Sequence, residues 1–260
     1  MSWLTLLLLG IGVADLLAAA RPDLERAHPP LSRWVVTALA GLLVVTVGGL
    51  AGFDAASDWV AVGFVVASMA LWRWMLRSGE TSPQAARRTL ACLVLPAVVL
   101  VALSGLAAPV GGPLAAWLAW MDLPALARFS PGRVLLLAAL AVVNTATANL
   151  VVRLVLVSVD ARPPRLGAHA RDDAGARPAE RLRGGRLLGP MERLLILGFG
   201  AAGDVEAAGL VVAAKGLLRF PELQAAARAH EASVDEVTEY FLVGTFTSLL
   251  VALASVVVLA

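Results

Sequence analysis

The chain has 260 residues, 59% of them hydrophobic and 15% charged, with a mean hydropathy of +0.81; soluble domains run at about 25% charged residues, so an ordinary soluble domain is excluded. The net charge of +2 is small and nearly all the basic residues fall in loops, so they inform orientation and not nucleic-acid binding, and the single cysteine, Cys92, excludes an intrachain disulfide and a multi-cysteine metal site. Several apolar runs of about 20 residues, without the short alternating strands of a membrane barrel, predict an all-α, polytopic transmembrane helical bundle.

The first predicted span is Trp3 to Ala20. Its end resembles a signal-peptide cleavage site, but no basic segment precedes it and Asp15 interrupts it, so it reads as a retained span. Asp15 lies near the end of that span, where a headgroup-level acid beside Arg21 is one reading. A proline-containing loop runs from Arg21 to Arg33. Span two is Trp34 to Phe53, with Gly41, Gly48, Gly49 and Gly52 permitting close helix packing. Span three is Trp59 to Trp74, where Trp72 and Trp74 with Arg73 and Arg77 read as an interfacial anchor.

Span four is Thr89 to Ala107, with a kink expected at Pro96. Residues 108–132 are too interrupted to cross, by Asp122, Pro124 and Arg128, and read as an amphipathic surface segment. Span five, Arg133 to Val157, carries Asn144, Thr145, Thr147, Asn149 and Arg153. Arg153 is either a partner for an acid in another span or a snorkelling residue at the cytoplasmic interface, and the second reading is preferred. Residues 160–186 hold seven arginines and no apolar period; they read as a disordered cytoplasmic loop, an orientation signal that could also touch anionic lipid. The chain thus divides into a five-span region at 1–159, the loop at 160–186, and a C-terminal membrane region at 187–260.

In that last region Met191 to Ala214 is apolar over a length of roughly 36 Å, enough to cross a hydrocarbon core of roughly 30 Å. Yet it contains Asp204 and Glu206, and an acid at mid-membrane costs at least ~2.5 kcal/mol unless it faces protein or water or takes a proton. On one straight helix Arg193, Asp204 and Lys215 share a stripe, with Arg219 beside it and Glu192 and Glu206 on the other side. Alternatively Gly198, Gly200 and Gly203 break the run into a re-entrant hairpin with Asp204 near its tip. The single helix is the preferred geometry. Lys215, the sole lysine, reads as a headgroup-level residue at a helix end or as a buried ammonium.

Pro221 to Asp235 is expected to form a short surface helix, followed by a last span from Val237 to Ala260. Glu236, Tyr240, Gly244, Thr247 and Ser248 fall on one side of that span, a packing face, and Glu239 and Tyr240 near its start could meet Arg219. Arginine placement puts 21–33, 73–88 and 160–186 in the cytoplasm and 54–58, 108–132 and the N-terminus outside. One long helix then gives seven spans with the C-terminus inside. The hairpin gives six spans plus a re-entrant element, with the C-terminus outside.

The blocks GGRLLGPMERLLIL (184–197), AAGLVVAAKGLLRF (207–220) and TEYFLVGTFTSLL (238–250) resemble an uncharacterised bacterial membrane family, domain-of-unknown-function family 3307. The resemblance covers the C-terminal third. It rests on Gly189, Glu192, Arg193, Gly209, Ala213, Ala214, Lys215, Arg219, Phe220, Glu239, Tyr240, Gly244, Thr245 and Ser248. Asp204 stands where the family often carries a glutamine, and the histidine near the family's N-terminus has no counterpart between Ile11 and Asp15. The resemblance implies that Glu192, Arg193, Lys215, Arg219 and Glu239 matter, and it names no reaction.

The candidate intramembrane polar site is therefore Glu192, Arg193, Asp204, Glu206, Lys215, Arg219, Glu239, Tyr240, Asn144, Asn149 and Arg153. It fits passage of an ion or small polar solute, or a non-catalytic membrane scaffold with structural ion pairs. A membrane enzyme acting on a lipid-linked substrate is the weaker reading. His28, His169 and His230 fall in loops, and no zinc-protease, nucleophile-elbow or Walker motif is present. No cofactor, metal or nucleic-acid partner is expected. The expected partner is the bilayer of a bacterial inner membrane.

Overall fold

A computed structural model describes residues 1–21, 31–121, 124, 126–161, 185–204, 206–215, 217 and 234–260. Arg219, the three histidines, most of the 160–186 loop and most of the expected surface helix at 221–235 lie outside these, as does the side chain of Glu239. The helices are α1 (Ser2–Ala20), α2 (Leu31–Leu50), α3 (Ala56–Gly79), α4 (Pro83–Ala102), α5 (Gly112–Met121), α6 (Pro131–Thr145), α7 (Thr147–Ser158), α8 (Gly185–Ala202) and α9 (Val234–Leu259). A further helical stretch covers 206–215, and the described residues contain no strand.

Helix α1 is the axis of the bundle. It is apolar on every side, so no face prefers solvent, and it is surrounded by α2, α3 and α6. It runs parallel to α3, because Trp3 meets Asp58 at one end and Asp15 meets Trp72 and Arg73 at the other. It also runs parallel to α6. A Cβ on Gly12 would lie 3.1 Å from the Val143 nitrogen, tighter than most such contacts, so a side chain there would push the two backbones apart by a few tenths of an ångström. Leu6, Leu7, Ile11, Val44, Val65, Met69 and Trp72 are fully buried between α1, α2 and α3.

Four helical segments are long and apolar enough to cross a membrane: Ser2–Ala20, Ala56–Gly79, Pro83–Ala102 and Leu242–Leu259. Helices α6 and α7, bent by 48°, make a fifth if they count as one broken span, and Trp34–Leu50 of α2 is apolar but shorter. Their outward faces carry large apolar side chains such as Val60, Leu95 and Val257. In water such a surface would aggregate; against lipid it is at home.

Two expectations change. The helix inside the 108–132 segment is not amphipathic: α5 reads GPLAAWLAWM, with no charged residue to make a polar face, and exposes Trp117 and Trp120. The proposed anchor at 72–77 splits. Trp74 is exposed, whereas Trp72 and Arg73 point into the bundle and are buried.

The contacts sort the chain into two ends. At one end Ser2 donates to the Ala108 carbonyl, the Gly111 N–H donates to Ala51, and Arg133 donates to the Ala260 carbonyl. Arg128 there donates to the Ala201 and Ala202 carbonyls at the close of α8. At the other end Thr89 of α4 donates to Met75 of α3, and Arg87 donates to the Ser158 carbonyl that closes α7. Three arginines thus sit on carbonyls left open at or near helix C-termini, where a cation is favoured.

Candidate functional site

The site is built around the break between α6 and α7. The sequence there is NTATAN, residues 144–149, and these short polar side chains compete with a continuous helical ladder. The helix stops at Thr145 and restarts at Thr147, with Ala146 between them. The break presents polar groups in two directions.

On one side Thr147 donates to Asp15 Oδ2 at 2.8 Å. Trp72 Nε1 donates to the same oxygen at 3.2 Å, and Arg73 Nη1 reaches Oδ1 at 3.2 Å. The Asp15 side chain is fully enclosed and that of Arg73 is 6% exposed, so they form a buried ion pair between α1 and α3. Trp72 and Thr147 occupy further lone pairs of the carboxylate, which offsets part of the desolvation such a pair suffers.

On the other side lies Arg193 of α8, 3% exposed. Its Nε donates to the Asn144 carbonyl at 2.9 Å, Nη1 to Ser248 Oγ at 3.0 Å and Nη2 to Asn149 Oδ1 at 2.6 Å. The planar fork of arginine thus ties α6, α7 and α9 together, a role the point charge of lysine could not fill. Asn144, fully buried, donates onward to Ser255 Oγ of α9 at 2.8 Å.

Next to Arg193, Glu192 forms an ion pair with Lys215, and both side chains are nearly enclosed. This pair overturns the single long helix. On one straight helix these residues would be about 35 Å apart at ~1.5 Å per residue. Instead α8 ends at Ala202, Gly203 takes φ +81, and the Asp204 N–H donates back to the Phe199 carbonyl at 2.9 Å. That is a glycine helix stop, available only to a residue that tolerates positive φ. The chain then returns as the stretch 206–215, with Ile196, Ala208 and Ala252 packed in one cluster against α9.

The expected stripe of Arg193, Asp204 and Lys215 therefore does not exist. Asp204 is exposed at the hairpin tip, where Oδ1 accepts from the Ala207 N–H at 2.9 Å as a helix N-cap. Glu206 is exposed one residue into the returning arm. Arg153 does not reach Asp204; it pairs with Glu80 at 2.7 Å, both about half exposed. Tyr240 is half-buried in α9. The structure thus joins Asn144, Asn149, Glu192, Arg193 and Lys215, and leaves Asp204, Glu206 and Arg153 apart.

Reading the sequence also missed the Asp15–Arg73 pair. Its signal was present: one acid and one base, each inside an otherwise apolar run. Among the described residues no cluster of three or more His, Cys, Asp or Glu could hold a metal. No protein-family model matches this chain, and neither a curated protein nor a solved structure matches it.

Proposed function

We propose that this is a multi-pass protein of a bacterial plasma membrane acting as a non-catalytic scaffold, its buried charges holding helices in register. The observation that carries this reading is closure. Asp15 is satisfied by Arg73, Trp72 and Thr147; Arg193 by Asn144, Asn149 and Ser248; Glu192 by Lys215. Both polar networks meet at the NTATAN break. Each of these buried charges faces a partner, which fixes geometry and leaves little free to bind a solute, while Asn144 Oδ1 is buried without a hydrogen-bond partner among the described residues. The resemblance of the C-terminal third to domain-of-unknown-function family 3307 adds no reaction to this reading.

In this proposal the chain makes six crossings plus the hairpin. Among the described residues, the end with the N-terminus, α5, the hairpin tip and Ala260 carries only Arg128 and Arg133 as basic residues. By the positive-inside rule that end faces outward, the 160–186 loop faces the cytoplasm beside anionic lipid, and the C-terminus is outside.

Passage of an ion or small polar solute is the second reading, favoured by the broken α6–α7 span, since broken helices in membranes line substrate paths. Proteoliposomes decide between them. The scaffold reading expects no proton, sodium or potassium flux above that of empty vesicles. A flux that Glu192→Gln abolishes, with the protein still folded, would overturn it.

A further inference from the structure

A cleft of about 300 Å³ opens at the outward end, between α5, the turn after it and the first turn of α6. The side chains that line it are apolar, Ala115, Leu118 and Ala119 from α5, Leu126 and Phe129 from the turn, and Val134 from α6, with backbone polar groups between them. Two features identify what it takes. On α5, Trp117 and Trp120 are 53% and 78% exposed, the placement of indoles at a membrane–water boundary. The two basic residues described at this end, Arg128 and Arg133, are each neighbours in sequence of cleft residues. The Arg128 guanidinium sits 5.0 Å from the ring centroid of Phe129, which lines the cleft. Both arginines are exposed, and each has N–H groups beyond those given to helix carbonyls.

We propose that this cleft binds one acyl chain of an anionic glycerophospholipid, with the phosphodiester held by Arg128 and Arg133. The apolar walls supply affinity for the chain, as buried methylenes do. The arginines supply selectivity, because a guanidinium donates to phosphate through charge-assisted bonds. A zwitterionic lipid would offer the same chain but a headgroup that already carries its own cation. This proposal stands apart from the scaffold reading, since the cleft shares no residue with the buried ion pairs.

The test uses the full chain, exchanged in detergent into an equal mixture of phosphatidylglycerol and phosphatidylcholine, stripped by washing, with retained lipid counted by mass spectrometry. The wild type is expected to retain phosphatidylglycerol at least fivefold over phosphatidylcholine. Ala119→Trp, which fills the cleft, is expected to lose the retained lipid, and Ala115→Phe does the same from a neighbouring turn if the first variant fails to fold. Arg128→Gln with Arg133→Gln is expected to keep a lipid but lose the preference. Equal retention of the two lipids by the wild type, or undiminished retention in a folded plugged variant, overturns the proposal.

Discussion

Replacing Asp15 by leucine leaves Arg73 buried without its counter-ion. Breaking one side of a buried pair costs about 3–5 kcal/mol. The Trp72 and Thr147 donors lose their acceptor as well, at about 1–3 kcal/mol each, although contacts in one network do not add. A total near 4 kcal/mol is expected, which at about 2–4 °C per kcal/mol lowers Tm by roughly 8–16 °C. The double variant Asp15→Leu with Arg73→Met removes both charges and is expected to recover at least half of that loss. Thermal unfolding in detergent can be followed by a thiol-reactive dye at Cys92, the sole thiol, half-buried in α4. If the double variant is as unstable as the single one, the two side chains are not coupled and the reasoning about the pair is wrong.

Gly200→Ala would put a Cβ 2.6 Å from both γ-carbons of Val256, so a loss of about 1–3 kcal/mol is expected, relieved when Val256→Ala is added and read in the same assay. Arg153→Gln removes an exposed ion pair and is expected to shift stability by less than about 1 kcal/mol. Asp204→Ala removes the cap of the returning arm and is expected to cost about 0.5–2 kcal/mol, whereas Asp204→Asn keeps a capping oxygen and stays close to wild type. An Asp204→Asn variant as unstable as the alanine one would show that the charge, not the cap, is what matters.

The helical class was legible because apolar runs of membrane length leave few alternatives. Segment 191–214 misled because its hydrophobic length fits a full crossing, and length says nothing of a stop. The stop was written in Gly203 and Asp204, a helix terminator followed by a cap. Asp204 read as an intramembrane acid on the assumption that the helix continued. Asn144 and Asn149 were legible as polar residues in a span, but their common partner, Arg193, follows from the packing of α8 against α6, which no local pattern encodes. Trp72 and Trp74 show the limit of the aromatic-belt rule: two residues apart on a helix, they face opposite sides, and only Trp74 is outward.

The hairpin that brings Lys215 back to Glu192 is the feature on which the site depends, and a distance across it tests that most directly. Spin labels at Leu188→Cys and Leu217→Cys, both exposed positions, with Cys92→Ser in the same chain, flank the ion pair without touching it. Packed antiparallel arms with axes about 8–10 Å apart predict a label separation of about 25 Å or less by double electron–electron resonance. A single straight helix would hold the labels about 44 Å apart, and a distribution centred there would contradict the account.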